Sequence, residues 1–129
     1  MADREKPINT FEDLELWQLC RVLRKEIYKV TKIFPESEKY TLVPQIQRAA
    51  ISSTANIAEG FGRYHYQENI QFCRQARGSL FEIIDHLITS YDENYIDEDK
   101  FRELKGLSYR CIKVLNGYIA SLRNRKATQ

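Results

Sequence analysis

No stretch of this sequence alternates β-branched and polar residues between turn signals, and no segment repeats or falls to low complexity, so sheets and repeat arrays are excluded. No apolar run approaches the roughly 20 residues that cross a bilayer. The polar start, Met1 to Lys6, has no apolar stretch behind it to act as a signal peptide. The expectation is a cytoplasmic protein with no membrane role. Cysteine is scarce: Cys20, Cys73 and Cys111 are odd in number, far apart and set among apolar helix positions, which suits buried structural thiols better than bridges or metal ligands. With only His65 and His86 in the chain, the spacing suggests no hydrolytic triad. Neither sign of charge dominates, and a net +2 is too small by itself to argue for a polyanionic partner.

What is present is helical periodicity. The 129 residues are 43% hydrophobic and 29% charged, enough for one soluble domain, 1–129, that closes one core over about 11–122 without disulfides or metals. A first helix is predicted from Phe11 to Phe34, because Trp17, Cys20, Leu23, Ile27, Val30 and Phe34 recur at three- and four-residue steps; Pro35 ends it. Thr41 is placed to cap a second helix with Pro44 in its first turn and Ile46, Ala49, Ser53 and Ile57 on one face. Gly60 and Gly62 would close that helix in the left-handed conformation. The third helix follows Arg63-Tyr64-His65-Tyr66 and runs to about Tyr91, with Gly78 in its middle, where close helix packing is the expected reason for a glycine. Asp97 caps the fourth, whose stripe is Phe101, Leu104, Leu107, Cys111, Leu115, Tyr118 and Leu122; the tail beyond should fray. Four long helices with short links predict an all-α, antiparallel up-down-up-down four-helix bundle.

That topology sorts the charges. The turn between helices two and three would share an end with both termini, collecting Arg63, His65, Arg123, Arg125 and Lys126, partly offset by Glu12, Asp13 and Glu15. The opposite end would collect Glu36, Glu38, Asp92, Glu93, Asp97, Glu98 and Asp99. A basic end carrying Tyr64, His65 and Tyr66 suits phosphate contact and stacking on unpaired bases; the same residues also describe a solvated helix end whose tyrosines cover the core.

Catalytic readings find little support. Glu82, Asp85 and His86 share one turn and Glu59 would fall on an adjacent helix, but dinuclear bundle sites use Glu-x-x-His twice, and here Glu82 and His86 are four apart and no second histidine follows a glutamate. Gly60-Phe61-Gly62 follows a helix, not a strand, and is no phosphate loop. No catalytic residue, metal, cofactor or small-molecule substrate is expected.

Two segments, Gln45-Ile46-Gln47-Arg48-Ala49-Ala50-Ile51-Ser52 and Asn56-Ile57-Ala58-Glu59-Gly60-Phe61-Gly62-Arg63, resemble the signature of a four-helix-bundle family known from proteins encoded in intervening sequences of bacterial large-subunit ribosomal RNA genes. Phe11-Glu12-Asp13-Leu14-Glu15-Leu16-Trp17 resembles that family's opening, and Ala76-Arg77-Gly78-Ser79 with Glu82 its third-helix motif. Ser53 and Thr54 depart from the pattern where an aliphatic residue and proline are usual, as does Asn69 where phenylalanine is usual. The resemblance implies a homo-oligomer, with pentamers the precedent, and a related bundle, the accessory protein of diversity-generating retroelements, is a basic pentamer that binds nucleic acid. Of the motif residues Asn56, Glu59, Gly60, Gly78 and Ser79, Asn56 and Glu59 read first as structural, bonding across helices or holding the following turn. Arg74 and Arg77 are open to pairing with Glu59 or to phosphate. The resulting candidate interface for RNA or DNA is Arg63, His65, Arg74, Arg77, Arg123, Arg125 and Lys126; the competing expectation is a protein-interaction scaffold with no nucleic-acid role.

Overall fold

Apolar residues at helical spacing set each element of the computed structural model, which describes residues 7–128, with side chains to Arg125. Helix α1, Glu15–Thr31, buries Leu16, Cys20, Leu23, Ile27 and Val30 on one face. Before it, a 3-10 turn at Phe11–Asp13 is fixed by a capping box, in which Thr10 accepts from the Glu12 amide and Asp13 accepts from the Thr10 amide. Helices α2, Leu42–Phe61, α3, Tyr66–Asp92, and α4, Glu98–Thr128, complete an all-α four-helix bundle. The tail stays helical to Thr128, where the sequence predicts fraying after Leu122, because nothing in the last turns breaks the backbone pattern.

Bonds between side chains give the packing direction. Thr31 of α1 meets Gln47 of α2 at 3.0 Å, whereas Arg24, two turns earlier, meets Thr54, two turns later, at 2.8 Å. Ser79 of α3 meets Ser52 of α2 while Asn69 and Phe72, earlier in α3, lie against Gly60, later in α2, and Asn69 and Arg77 of α3 reach Tyr118 and Asn116 of α4. Each consecutive pair of helices therefore runs antiparallel, and α1 also packs on α4, closing the ring around one core. At one end Tyr95 donates to Glu38 at 2.7 Å, tying the loop before α2 to the loop before α4.

Several local expectations are corrected. Thr41 makes no side-chain cap; Glu38 accepts from the Leu42 amide instead, because the turn at Glu36–Glu38 swings its carboxylate over the helix start. Asp97 does cap its helix, accepting from the Lys100 amide at 2.8 Å. No glycine among the described residues has a positive φ, so neither Gly60 nor Gly62 is a left-handed stop. Gly60 instead lies within α2 where a Cβ would sit 2.8 Å from Asn69 Oδ1 and 2.9 Å from Phe72 Cβ, so its missing side chain is what lets α2 and α3 approach. Gly78 is the reverse: a Cβ there would meet nothing within 4 Å, so close packing inside this chain does not explain it. The three cysteines, distant in sequence, converge. Cys20 is held protonated by a hydrogen bond with Cys111 and by burial, and burial pushes the Cys73 thiol up to about 12.

Candidate nucleic-acid interface

The turn between α2 and α3 is built by one arginine. Arg63 pairs with Glu59 at 3.1 Å and Glu68 at 3.6 Å, and its guanidinium lies 5.0 Å from the centre of the Phe72 ring. It thereby staples the end of α2 to the start of α3, and its charge is largely balanced where it stands. Glu59 thus holds the turn, and neither Arg74 nor Arg77 pairs with it. Arg74 reaches Gln71 of its own helix, and Arg77 donates to Asn116 across the α3–α4 seam at 2.7 Å. Asn56 donates to the Ser52 carbonyl and hydroxyl, and Ser79 donates to that same hydroxyl, so Asn56, Ser52 and Ser79 form a chain of bonds between α2 and α3. Asn56, Glu59, Gly60 and Ser79 thus make contacts within the bundle, whereas Gly78 faces open space.

Next to this staple Tyr64 is 99% exposed and His65 is exposed just before α3. The bond from Asn69 Nδ2 to Tyr118 Oη, 3.0 Å, fixes the start of α3 beside the last turns of α4, where Arg123 and Arg125 are exposed. The structure therefore places His65, Tyr64, Arg123 and Arg125 at one end, with Arg74 and Arg77 farther along the α3–α4 side; the side chain of Lys126 lies outside the described residues. The departure at Asn69 is accommodated, since this buried amide donates to Tyr118 and accepts from the Cys73 thiol. No buried side-chain polar atom among the described residues lacks a partner.

His86 sits 3.1 Å from Glu82, and among the described residues no group of three or more His, Cys, Asp or Glu is placed to hold a metal. A depression of about 440 Å³ between the start of α1 and α4 is lined mainly by apolar atoms of Leu14, Leu16, Val114 and Tyr118, with Glu15, Lys113 and Gly117 completing it. No described helix is long and apolar enough to cross a membrane.

Two surface features escape a reading of the sequence. Gly78 and Gly106 present open space outward, and Phe81 and Tyr109, each one turn from one of them, are 49% and 46% exposed and contact each other edge to face. The other is a group of cations on the outer side of α1. Among known proteins, the family model for the 23S rRNA-intervening sequence protein matches residues 12–117. A crystal structure of a protein of unknown function from the S23 ribosomal protein family of Bacteroides thetaiotaomicron is similar, with a TM-score of 0.75 and 20% sequence identity, over 81% of this chain and 97% of that one. At that identity the likeness speaks to the fold. No curated protein matches the chain.

Proposed function

This chain belongs to the family of 23S rRNA-intervening sequence proteins, and from that premise we propose that it is a non-catalytic, homo-oligomeric bundle that binds RNA or DNA as an accessory factor. The observation that carries the nucleic-acid part is the charge-sorted end at which exposed Tyr64 and His65 sit beside Arg123 and Arg125, since cations with an uncovered aromatic are the pairing that holds phosphates and stacks bases. Self-association is supported by the outer α3–α4 face. Each interior glycine costs a helix about 1 kcal/mol relative to alanine, and Gly78 and Gly106, each one turn from a half-exposed aromatic, suit a surface that a second copy approaches closely. Repeating a modest basic patch in an oligomer strengthens it through avidity.

Titration of the purified protein with single- and double-stranded RNA and DNA at two salt concentrations tests the reading, with light scattering run alongside. Binding that weakens with salt, by a particle heavier than the 15.3 kDa chain, is the expected result. No binding at low salt, or a monomer throughout, rejects it. A protein-interaction scaffold is the second reading, favoured by the internal engagement of Arg63 and Arg77. Absorbance at 260 nm in excess of the protein's own, removed by nuclease, counts against that alternative.

A further inference from the structure

The cations of α1 are scattered in the sequence but gathered on the helix. At about 100° per residue, Arg21, Arg24, Lys25, Lys29 and Lys32 fall within an outward arc of about 140° centred beside Tyr28. Both acids of the helix, Glu15 and Glu26, lie outside that arc and toward α4, where Glu26 adds to the stronger effect of Glu103 in keeping Lys100 charged. Lys29 reaches back to Glu26 at 3.1 Å. Among the described residues no carboxylate pairs with Arg21, Arg24, Lys25 or Lys32: Arg24 donates to the neutral Thr54 hydroxyl, and Arg21 lies 5.7 Å from the Trp17 ring centre. These cations differ from Arg63, whose charge two glutamates already balance.

The arc also has an aromatic floor. The bonds Arg24–Thr54 and Thr31–Gln47 bracket the level of Tyr28 and Ile51, so the two stand at one height on either side of the α1–α2 groove, 39% and 46% exposed. A shallow depression of about 350 Å³ with a mostly apolar lining opens on the outer side of α1 itself, among Arg24, Lys25, Tyr28 and Lys29. On the α2 side the only acid of that helix, Glu59, is paired with Arg63. From Arg21 to Lys32 the row is about 16 Å long at 1.5 Å per residue, enough to track several phosphates of an extended strand.

We propose that this α1–α2 face is a binding site for single-stranded nucleic acid, with Arg21, Lys25 and Lys32 contacting the backbone and Tyr28 stacking on a base. The inference rests on the nucleic-acid reading above but moves its centre from the end of the bundle to its side. The side chain of Tyr28 decides in favour of a strand, because a row of cations alone attracts any polyanion whereas a base also gains from the ring.

The experiment measures anisotropy of a labelled, unstructured strand of about ten nucleotides, as RNA and as DNA, against wild type, R21Q/K25Q/K32Q, Y28A and R123Q/R125Q. Melts by circular dichroism check that each variant folds, and K25Q alone replaces the triple variant if that one does not. The triple variant should weaken binding at least tenfold and reduce the slope of log K against log salt by about 2, at roughly 0.7 for each phosphate that is no longer neutralised. Y28A should cost about fivefold or more, as loss of a stacked base does, and R123Q/R125Q should cost less than the triple. Wild type that binds while the triple variant and Y28A bind equally well overturns the inference and leaves the site at the bundle end. Inorganic polyphosphate or a duplex displacing the strand at equal phosphate concentration, with Y28A unchanged, also overturns it. Wild type that binds no strand at low salt removes the functional reading itself.

Discussion

Adding one methyl group to Gly60 and to Gly78 should move stability in opposite directions. At Gly78 a Cβ meets open space, so alanine gains about 0.5–1 kcal/mol of helix propensity with no steric charge against it. At Gly60 the same gain is opposed by contacts at 2.8 Å to Asn69 Oδ1, 2.9 Å to Phe72 Cβ and 3.2 Å to the Asn69 carbonyl. The last two cannot swing aside as the end of a long side chain can, and displacing Asn69 Oδ1 disturbs a group bonded to both Tyr118 and Cys73. Overpacking of this kind costs about 1–3 kcal/mol, and the disturbed amide adds about 1 kcal/mol, so Gly60→Ala should be net destabilising by about 1–3 kcal/mol. At about 2.1 cal/mol/K per residue, unfolding 129 residues carries about 0.27 kcal/mol/K, and each kcal/mol shifts Tm by about 4 °C. Thermal melts at low protein concentration should therefore show Gly78→Ala rising by about 2–4 °C and Gly60→Ala falling by about 4–11 °C. At high concentration the gain for Gly78→Ala should shrink and the scattering mass should fall, because the methyl group then obstructs the approach of a second copy. Two variants that both rise by the same amount would refute the close approach at Gly60; a Gly78→Ala protein destabilised at low concentration would refute the open surface.

Tyr118→Phe removes the acceptor of the buried Asn69 amide and should cost about 1–3 kcal/mol in urea unfolding; an unchanged midpoint would mean that the bond contributes nothing net. The Glu38 carboxyl is held below the ordinary 4.5 by bonds from the Thr41 and Tyr95 hydroxyls and the Leu42 amide. The unfolded chain therefore takes up that proton first as the pH falls, so the contribution is whole above the unfolded value and lost as the pH drops through the folded one. Wild-type stability should fall more steeply below about pH 4.5 than that of Glu38→Gln, and parallel acid limbs would contradict the assignment. The thiols Cys20, Cys73 and Cys111 are fully buried, and Cys20 and Cys73 are held protonated, so a thiol reagent should label none of the three in the native protein except at the rate of unfolding; one fast-reacting thiol would show that the core opens locally.

The helices are legible in the sequence because burial repeats with the period of the helix, and that period survives any error about what lies on the other side. The expected face of Cys20, Leu23, Ile27 and Val30 in α1, continued by Phe34 just after it, is buried; Leu16 lies deeper than Trp17, whose ring packs on Phe11 near the rim. The glycines are harder to assign because composition says that a glycine is unusual but not which way it faces. Position alone holds the answer for Gly78. It stands two residues from both Ala76 and Leu80, which are buried, and two residues on a helix is roughly the opposite side. Gly60 carries the converse signal, three residues after buried Ile57 and thus on the packed face.

The same geometry explains why charge is easily read at the ends of the bundle and overlooked along its side. A basic run such as Lys105 to Lys126 stands out when charge is counted by segment, whereas Arg21, Lys25 and Lys32 alternate with Leu23, Ile27 and Val30 and cancel locally against Glu15 and Glu26. Counting along the chain mixes faces that the folded helix keeps apart. Projected on the helix, positions 21, 25, 28 and 32 share one line and the two acids leave it, so the field above α1 is set by cations that no neighbouring carboxylate neutralises. What decides whether a cation can meet a phosphate is its partner in the folded chain. By that measure Arg63, prominent in the motif, is the weaker candidate, and Lys25, which no motif contains, is the stronger.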